Sequence, residues 1–241
     1  MDRIERDLAE FYGLMDFLAN LPNQARPLSQ LVGNRDMPQR GVYFFREPGE
    51  VCPDGSPRIV RVGTHAVSTG SKSTLRARLK THLGSQSGSG NHRGSIFRLH
   101  LGHALLSKEG RSLPTWGKGS VAPVELRSSP EALANESALE NKVSQHIGAM
   151  EVLWVDVPDE PSSESDRAFI ERNAIGLLSS RRNPPATSST NWLGSYSHRE
   201  EIRSSRLWNL RHIDEVHDSA FLGRLASAVE RTASVVKNKS L

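Results

Sequence analysis

The chain has 241 residues, which suits one large domain or a domain with appendages. Apolar residues make up 36% and aromatics 6%, with a mean hydropathy of −0.48, so the expectation is a modest core surrounded by long polar loops. No run approaches the roughly 18 apolar residues of a membrane span, Met1-Asp2-Arg3-Ile4-Glu5 is unlike a signal peptide, and the single Cys52 excludes an internal disulfide and a cysteine-based zinc site. The expected setting is the cytoplasm.

The net charge of +4 and the pI near 9.5 are only mildly basic. The distribution is more informative. From Arg58 to Arg98 the cations Arg58, Arg61, Lys72, Arg76, Arg78, Lys80, Arg93 and Arg98 occur without one Asp or Glu. A field of one sign over that segment points to a polyanionic partner.

Ile4, Leu8, Phe11, Met15 and Leu18 recur at helical spacing and predict a helix over 2–20, stopped by Leu21-Pro22. A loop with Pro27 and Pro38 leads to a strand over 41–46. The turn-forming run Glu47–Pro57 predicts an enlarged hairpin loop to a second strand over 58–63. Ser73 is placed to cap a helix with Leu75, Leu79 and Leu83 on its apolar face. Gly84–Gly90 has linker composition. Helices are then predicted near 95–107 and 130–148, a third strand over 152–157, and helices over 166–180 and 218–237, with Asn191-Trp192-Leu193-Gly194 in a loop between these two.

Period-two alternation puts Tyr43 on a face with Phe45, and Arg61 on a face with Ile59 and Gly63. Arg78 and His82, four apart, share one side of their helix, while Arg76 lies about 200° around from Arg78. The pairs His100/His103 and His212/His217 lack the cysteines and clustered carboxylates that would complete a tetrahedral metal set. No lysine sits two residues beyond an acid after the strand carrying Asp156, as the common restriction-nuclease carboxylate motif requires. Trp192, Trp208 and Tyr196 are candidates for stacking on bases, though core anchoring suits aromatics in such short supply.

The order of these pieces resembles the GIY-YIG nuclease superfamily: Gly41-Val42-Tyr43, then Arg61-Val62-Gly63, then Arg78-Leu79-Lys80-Thr81-His82, with Glu171 on a later helix and Asn191, rather than Asn183, in a following loop. The second tyrosine of the pattern is Arg61 here. The resemblance covers 41–83 well and 150–194 loosely. It implies an α/β core with a small, mainly antiparallel three-stranded sheet flanked by helices. Residues 1–38 would be an added N-terminal helix and linker, 39–194 the core with a helical insertion at about 84–150, and 195–241 a C-terminal helical extension. It further implies metal-assisted hydrolysis of DNA phosphodiester bonds, with Tyr43, Arg61, Arg78, His82 and Glu171 catalytic. Tyr43 would act on the attacking water, Arg78 would clamp the phosphate with its planar fork, His82 would donate to the phosphate or orient the nucleophile, and Glu171 would hold Mg²⁺ or another divalent cation. Lys72, Arg76, Lys80, Arg93, Arg98 and Asn191 would contact DNA. With its second tyrosine replaced, the chain could instead be a catalytically silent nucleic-acid-binding module of the same fold. Whether it is a monomer or a homodimer stays open.

Overall fold

In the computed structural model the described residues are 1–31, 37–85, 88–119, 121, 123–124, 129–183 and 189–239. Helix α1 is Arg3–Ala19. The Asp2 carboxylate accepts from the Glu5 N–H at 2.8 Å and the Glu5 carboxylate from the Asp2 N–H at 2.9 Å, a reciprocal cap that fixes the start. A two-residue strand β1, Arg26–Pro27, and a one-turn helix α2, Leu28–Leu31, follow; both are too short for periodicity to reveal. Strands β2, Gly41–Val51, and β3, Pro57–Gly63, form the hairpin. The strand continues through 47–51, which the sequence assigned to a loop. The turn itself is only Cys52–Ser56, where the Cys52 N–H donates to Ser56 O at 2.8 Å and Gly55 has φ +86°. Helix α3, Leu75–Leu83, is capped by Thr74 rather than Ser73: the Thr74 hydroxyl accepts from the Ala77 N–H at 3.2 Å. Helices α4, Ile96–Lys108, and α5, Pro130–Ala149, strand β4, Glu151–Asp156, and helices α6, Asp166–Leu178, α7, Glu200–Ser205, and α8, Ala220–Lys239, complete the order. Among the described residues no helix is long and apolar enough to cross a membrane.

The sheet is antiparallel and four-stranded, in the order β1-β4-β2-β3, because β1 adds to the three predicted strands. Its faces bury two separate cores. Tyr43, Phe45, Val152 and Trp154 pack with α2, α3, α4 and α5, whereas Val42, Phe44, Leu153 and Val155 pack with α1, α6 and α8. Ile59 corrects the expected alternation. Phe45 pairs with Arg61 but Arg46 pairs with Ile59, so Val60 is an extra residue in β3. This bulge turns Val60 to the Tyr43 face and Ile59 to the opposite one.

The free edge of β3 is met by the chain after α7. Trp208 N–H donates to Val60 O at 2.8 Å, and the Asn209 carboxamide both accepts from Val62 N–H at 3.1 Å and donates to Val62 O at 2.8 Å. Behind this seam Glu47 is buried in β2. Its carboxylate accepts from the indole N–H groups of Trp192 and Trp208 at 3.0 and 3.1 Å and pairs with His146 at 2.8 Å. Burial by itself pushes the Glu47 pKa up, but the bonds from His146, Trp208 and Trp192 outweigh it and hold the value below 4.5. A depressed carboxylate pKa stabilises the fold fully above 4.5, and that contribution is lost as pH falls through the lowered value. Urea midpoints followed by tryptophan fluorescence should therefore fall on the acid side, and Glu47→Gln should flatten that limb.

Candidate active site

At the open end of the hairpin Tyr43 pairs with Gly63. A Cβ on Gly63 would lie 2.3 Å from the Tyr43 hydroxyl and 2.4 Å from Cζ, so glycine is required for space. The tyrosine ring is buried edge-on against Phe45, with centroids 5.6 Å apart, and has no room to retreat. Gly63→Ala is expected to cost about 1–3 kcal/mol through overpacking, read in thermal unfolding as a midpoint lowered by about 2–4 °C per kcal/mol.

Helix α3 lies over this face because Leu75 and Leu79 enter the Tyr43 core. The same turns bring in Arg78 and His82. His82 Nε2 is 2.8 Å from the Tyr43 hydroxyl, and Nδ1 is 2.9 Å from Ser95 Oγ, the cap of α4. The imidazole is fully buried, and burial together with the charges of Arg61, Arg78 and Arg98 holds its pKa well below 6.5. His82 is therefore neutral at neutral pH. Both nitrogens face protein partners, so its reach toward a substrate runs through the Tyr43 hydroxyl.

Arg61 enters from the bulged strand. Its Nη1 donates to Trp208 O at 2.6 Å, and the guanidinium lies over Phe97 with Cζ 4.7 Å from the ring centroid. Burial pulls its pKa down. The neighbouring Tyr43 and Glu171 pull it up, while Arg78 adds to the fall. A guanidinium keeps its charge regardless. Where the family pattern has a second phenol, this chain thus has a cation fixed beside the first.

Glu171 comes from α6, on the other side of the sheet, and reaches the end of β3. Its Oε1 accepts from the Thr64 N–H at 3.1 Å. Burial raises its pKa above 4.5, opposed by Arg61, the Thr64 N–H, His212 and Arg78. Among the described residues no group of three or more His, Cys, Asp or Glu side chains could hold a metal. One hard carboxylate suits an ion such as Mg²⁺, which keeps most of its waters and takes its remaining oxygens from a phosphate.

The structure thus brings Tyr43, Arg61, Arg78, His82 and Glu171 together. Of the cations expected at DNA, Lys72, Arg76 and Lys80 are exposed on or just before α3. Arg98 is corrected: it is fully buried, pairs with Glu140 and donates to His82 O at 2.9 Å and Leu83 O at 2.8 Å. Arg93 is likewise turned inward onto Glu136 and Thr115 O, with its side chain 8% exposed. Arg58 is buried against Glu50 at 2.8 Å. The acids that neutralise this segment lie elsewhere in sequence, so the charge run overstated the field. Asn191 lines a cleft with Glu47, Glu50 and His146 at the far end of β2, away from Tyr43. Asn209 at the β3 edge is the asparagine next to the cluster. No sequence spacing signalled it, because its place depends on a long-range pairing with Val62.

No curated protein and no solved structure matches the chain. The model of the GIY-YIG domain, a nuclease domain, matches it over residues 1–235, from the first helix to the last. With the tyrosine, arginine, histidine and glutamate of that pattern converging on one end of a single hairpin, this chain belongs to the GIY-YIG superfamily.

Proposed function

We propose that the chain is a divalent-metal-dependent endonuclease that hydrolyses DNA phosphodiester bonds at the Tyr43 site. The observation that carries the reading is the buried Tyr43–His82 hydrogen bond of 2.8 Å, with Arg78 and Glu171 beside it. With its Nδ1 proton on Ser95, neutral His82 offers Nε2 as acceptor for the Tyr43 O–H. Tyr43 can then take a proton from an attacking water as it passes its own to His82. Arg61 stabilises the charge on the phenolic oxygen from a fixed position, performing electrostatically what the absent tyrosine does not. Arg78 is half-buried on α3, and its planar fork spans two phosphate oxygens as charge grows on them. Glu171 supplies the carboxylate for Mg²⁺, which when bound adds Lewis-acid stabilisation of the phosphate and leaving oxygen. Exposed Lys72, Arg76 and Lys80 extend the cationic surface along α3 for the flanking backbone.

Cleavage of plasmid, linear and branched DNA with Mg²⁺ or with EDTA tests this. Wild-type cleavage with Mg²⁺, lost in EDTA and lowered about 10²–10³-fold by Arg78→Ala, is expected on the scale of removing one transition-state donor. Cleavage that survives EDTA, or is untouched in Arg78→Ala, overturns it. Salt-sensitive binding without cleavage selects the silent binding module, the reading that Arg61 at the second tyrosine position favours.

A further inference from the structure

His65 lies just beyond the β3 strand and belongs to no motif of the site. It is 5% exposed. Its Nε2 is 3.1 Å from Gln39 O, and because a carbonyl only accepts, Nε2 must carry the proton. Nδ1 is then a bare acceptor. It is buried and has no partner among the described residues, a rare state for a polar atom inside a protein.

The Gln39 carbonyl also accepts from the Leu75 N–H at 2.9 Å, which sets His65 against the first turn of α3, one turn before Arg78. Three cations act on the imidazole: Arg167, Arg78 and Arg40. With burial foremost, they hold its pKa near 4, so the ring stays neutral. Two of the three are anchored on other acceptors. Arg167 binds Asp159, His65 O at 2.6 Å and Ala66 O at 3.3 Å. Arg40 binds Asp159 O and Glu160. The Arg78 side chain makes no hydrogen bond or ion pair among the described residues, so its five guanidinium N–H groups are unspent. A DNA phosphate has acceptors but no donor, so it cannot satisfy Nδ1 itself. Of the three neighbouring cations, Arg78 is the one whose side chain is not held by another acceptor among the described residues.

Building on the proposed role of Arg78 as phosphate clamp, we propose that His65 is a positioning residue: its Nδ1 accepts one Arg78 N–H and aims the remaining fork at the scissile phosphate. A guanidinium can make this bond and a bidentate phosphate contact together, since the three use different N–H groups. No proton changes hands.

A double-mutant cycle of His65→Leu and Arg78→Ala, measured on cleavage and on duplex affinity, tests the link. His65→Leu alone should lower cleavage about 30-fold, and less than about 2-fold in the Arg78→Ala background, as expected when one group acts through another. His65→Gln, which keeps a donor for Gln39 and an acceptor for Arg78, should stay within about 5-fold of wild type and rescue the loss. Losses that multiply, or a His65→Gln as poor as His65→Leu at equal thermal stability, overturn the assignment. The nitrogen NMR resonance of His65 Nδ1 gives a readout that needs no cleavage. It should move when inorganic phosphate is added to the wild type and stay still in Arg78→Ala. Movement without cleavage keeps this assignment and rejects the nuclease reading; no movement in a cleaving protein rejects the assignment alone.

Discussion

Replacing Glu171 by glutamine is expected to lower DNA cleavage by about 10³-fold, or roughly 4 kcal/mol of transition-state stabilisation, while the fold becomes no less stable. The amide oxygen of glutamine can still accept the Thr64 N–H, so the end of β3 keeps its tether. What disappears is a buried negative charge. Burial raises the Glu171 pKa, so its ionised form is disfavoured in the folded state and weighs against stability at neutral pH. Thermal unfolding should accordingly show an unchanged or higher midpoint, the usual relation between stability and a functional group held in an unfavourable place. DNA affinity without metal should hold or tighten, because Arg61 and Arg78 lose a neighbouring carboxylate. Activity lost together with a lowered midpoint would instead assign Glu171 to the scaffold.

Arg98→Ala is expected to destabilise the protein by about 3–5 kcal/mol, the cost of leaving a buried partner charge uncompensated. The guanidinium holds Glu140, Ser144 and the last carbonyls of α3, so its loss strands a carboxylate and opens the join between α3, α4 and α5. Chemical denaturation should show the loss in full. Salt-dependent DNA binding at a temperature where the variant stays folded should show little change, in contrast to Lys80→Ala, where a phosphate contact and about one unit of salt slope are at stake. Replacing the pair by Arg98→Met with Glu140→Leu should recover only part of the stability: no lone charge remains, but the His92 backbone N–H and Nδ1, which donate to Glu140 at 2.7 and 2.9 Å, lose their acceptor. A drop in affinity without a drop in stability would return Arg98 to the nucleic-acid surface.

These two side chains mark how far the sequence could be read. Tyr43, Arg78 and His82 were legible because their relations are local: period two in a strand and four residues in a helix. Glu171 needed the family order, since nothing in Phe169-Ile170-Glu171-Arg172 says that the helix crosses behind the sheet and reaches its end. Arg93 and Arg98 escape the sequence because a run of like charge read along the chain carries no information about acids arriving from about 40 residues away, here Glu136 for Arg93 and Glu140 for Arg98. Ile59 was misplaced because the inserted Val60 shifts the register. Asn209 and the seam it makes were invisible for a related reason: pairing between strands is chosen by the whole fold, and a two-residue contact leaves no periodicity.

That seam also bears on solution behaviour. An edge strand with open N–H and C=O groups is a template on which another chain can add, and proteins that leave one uncovered tend to aggregate. Here the last backbone groups of β3 are occupied by Trp208 and by the side chain of Asn209, which mimics a neighbouring strand at Val62. The segment that fixes the Arg61 cation therefore also makes this edge of the sheet a poor seed for self-association.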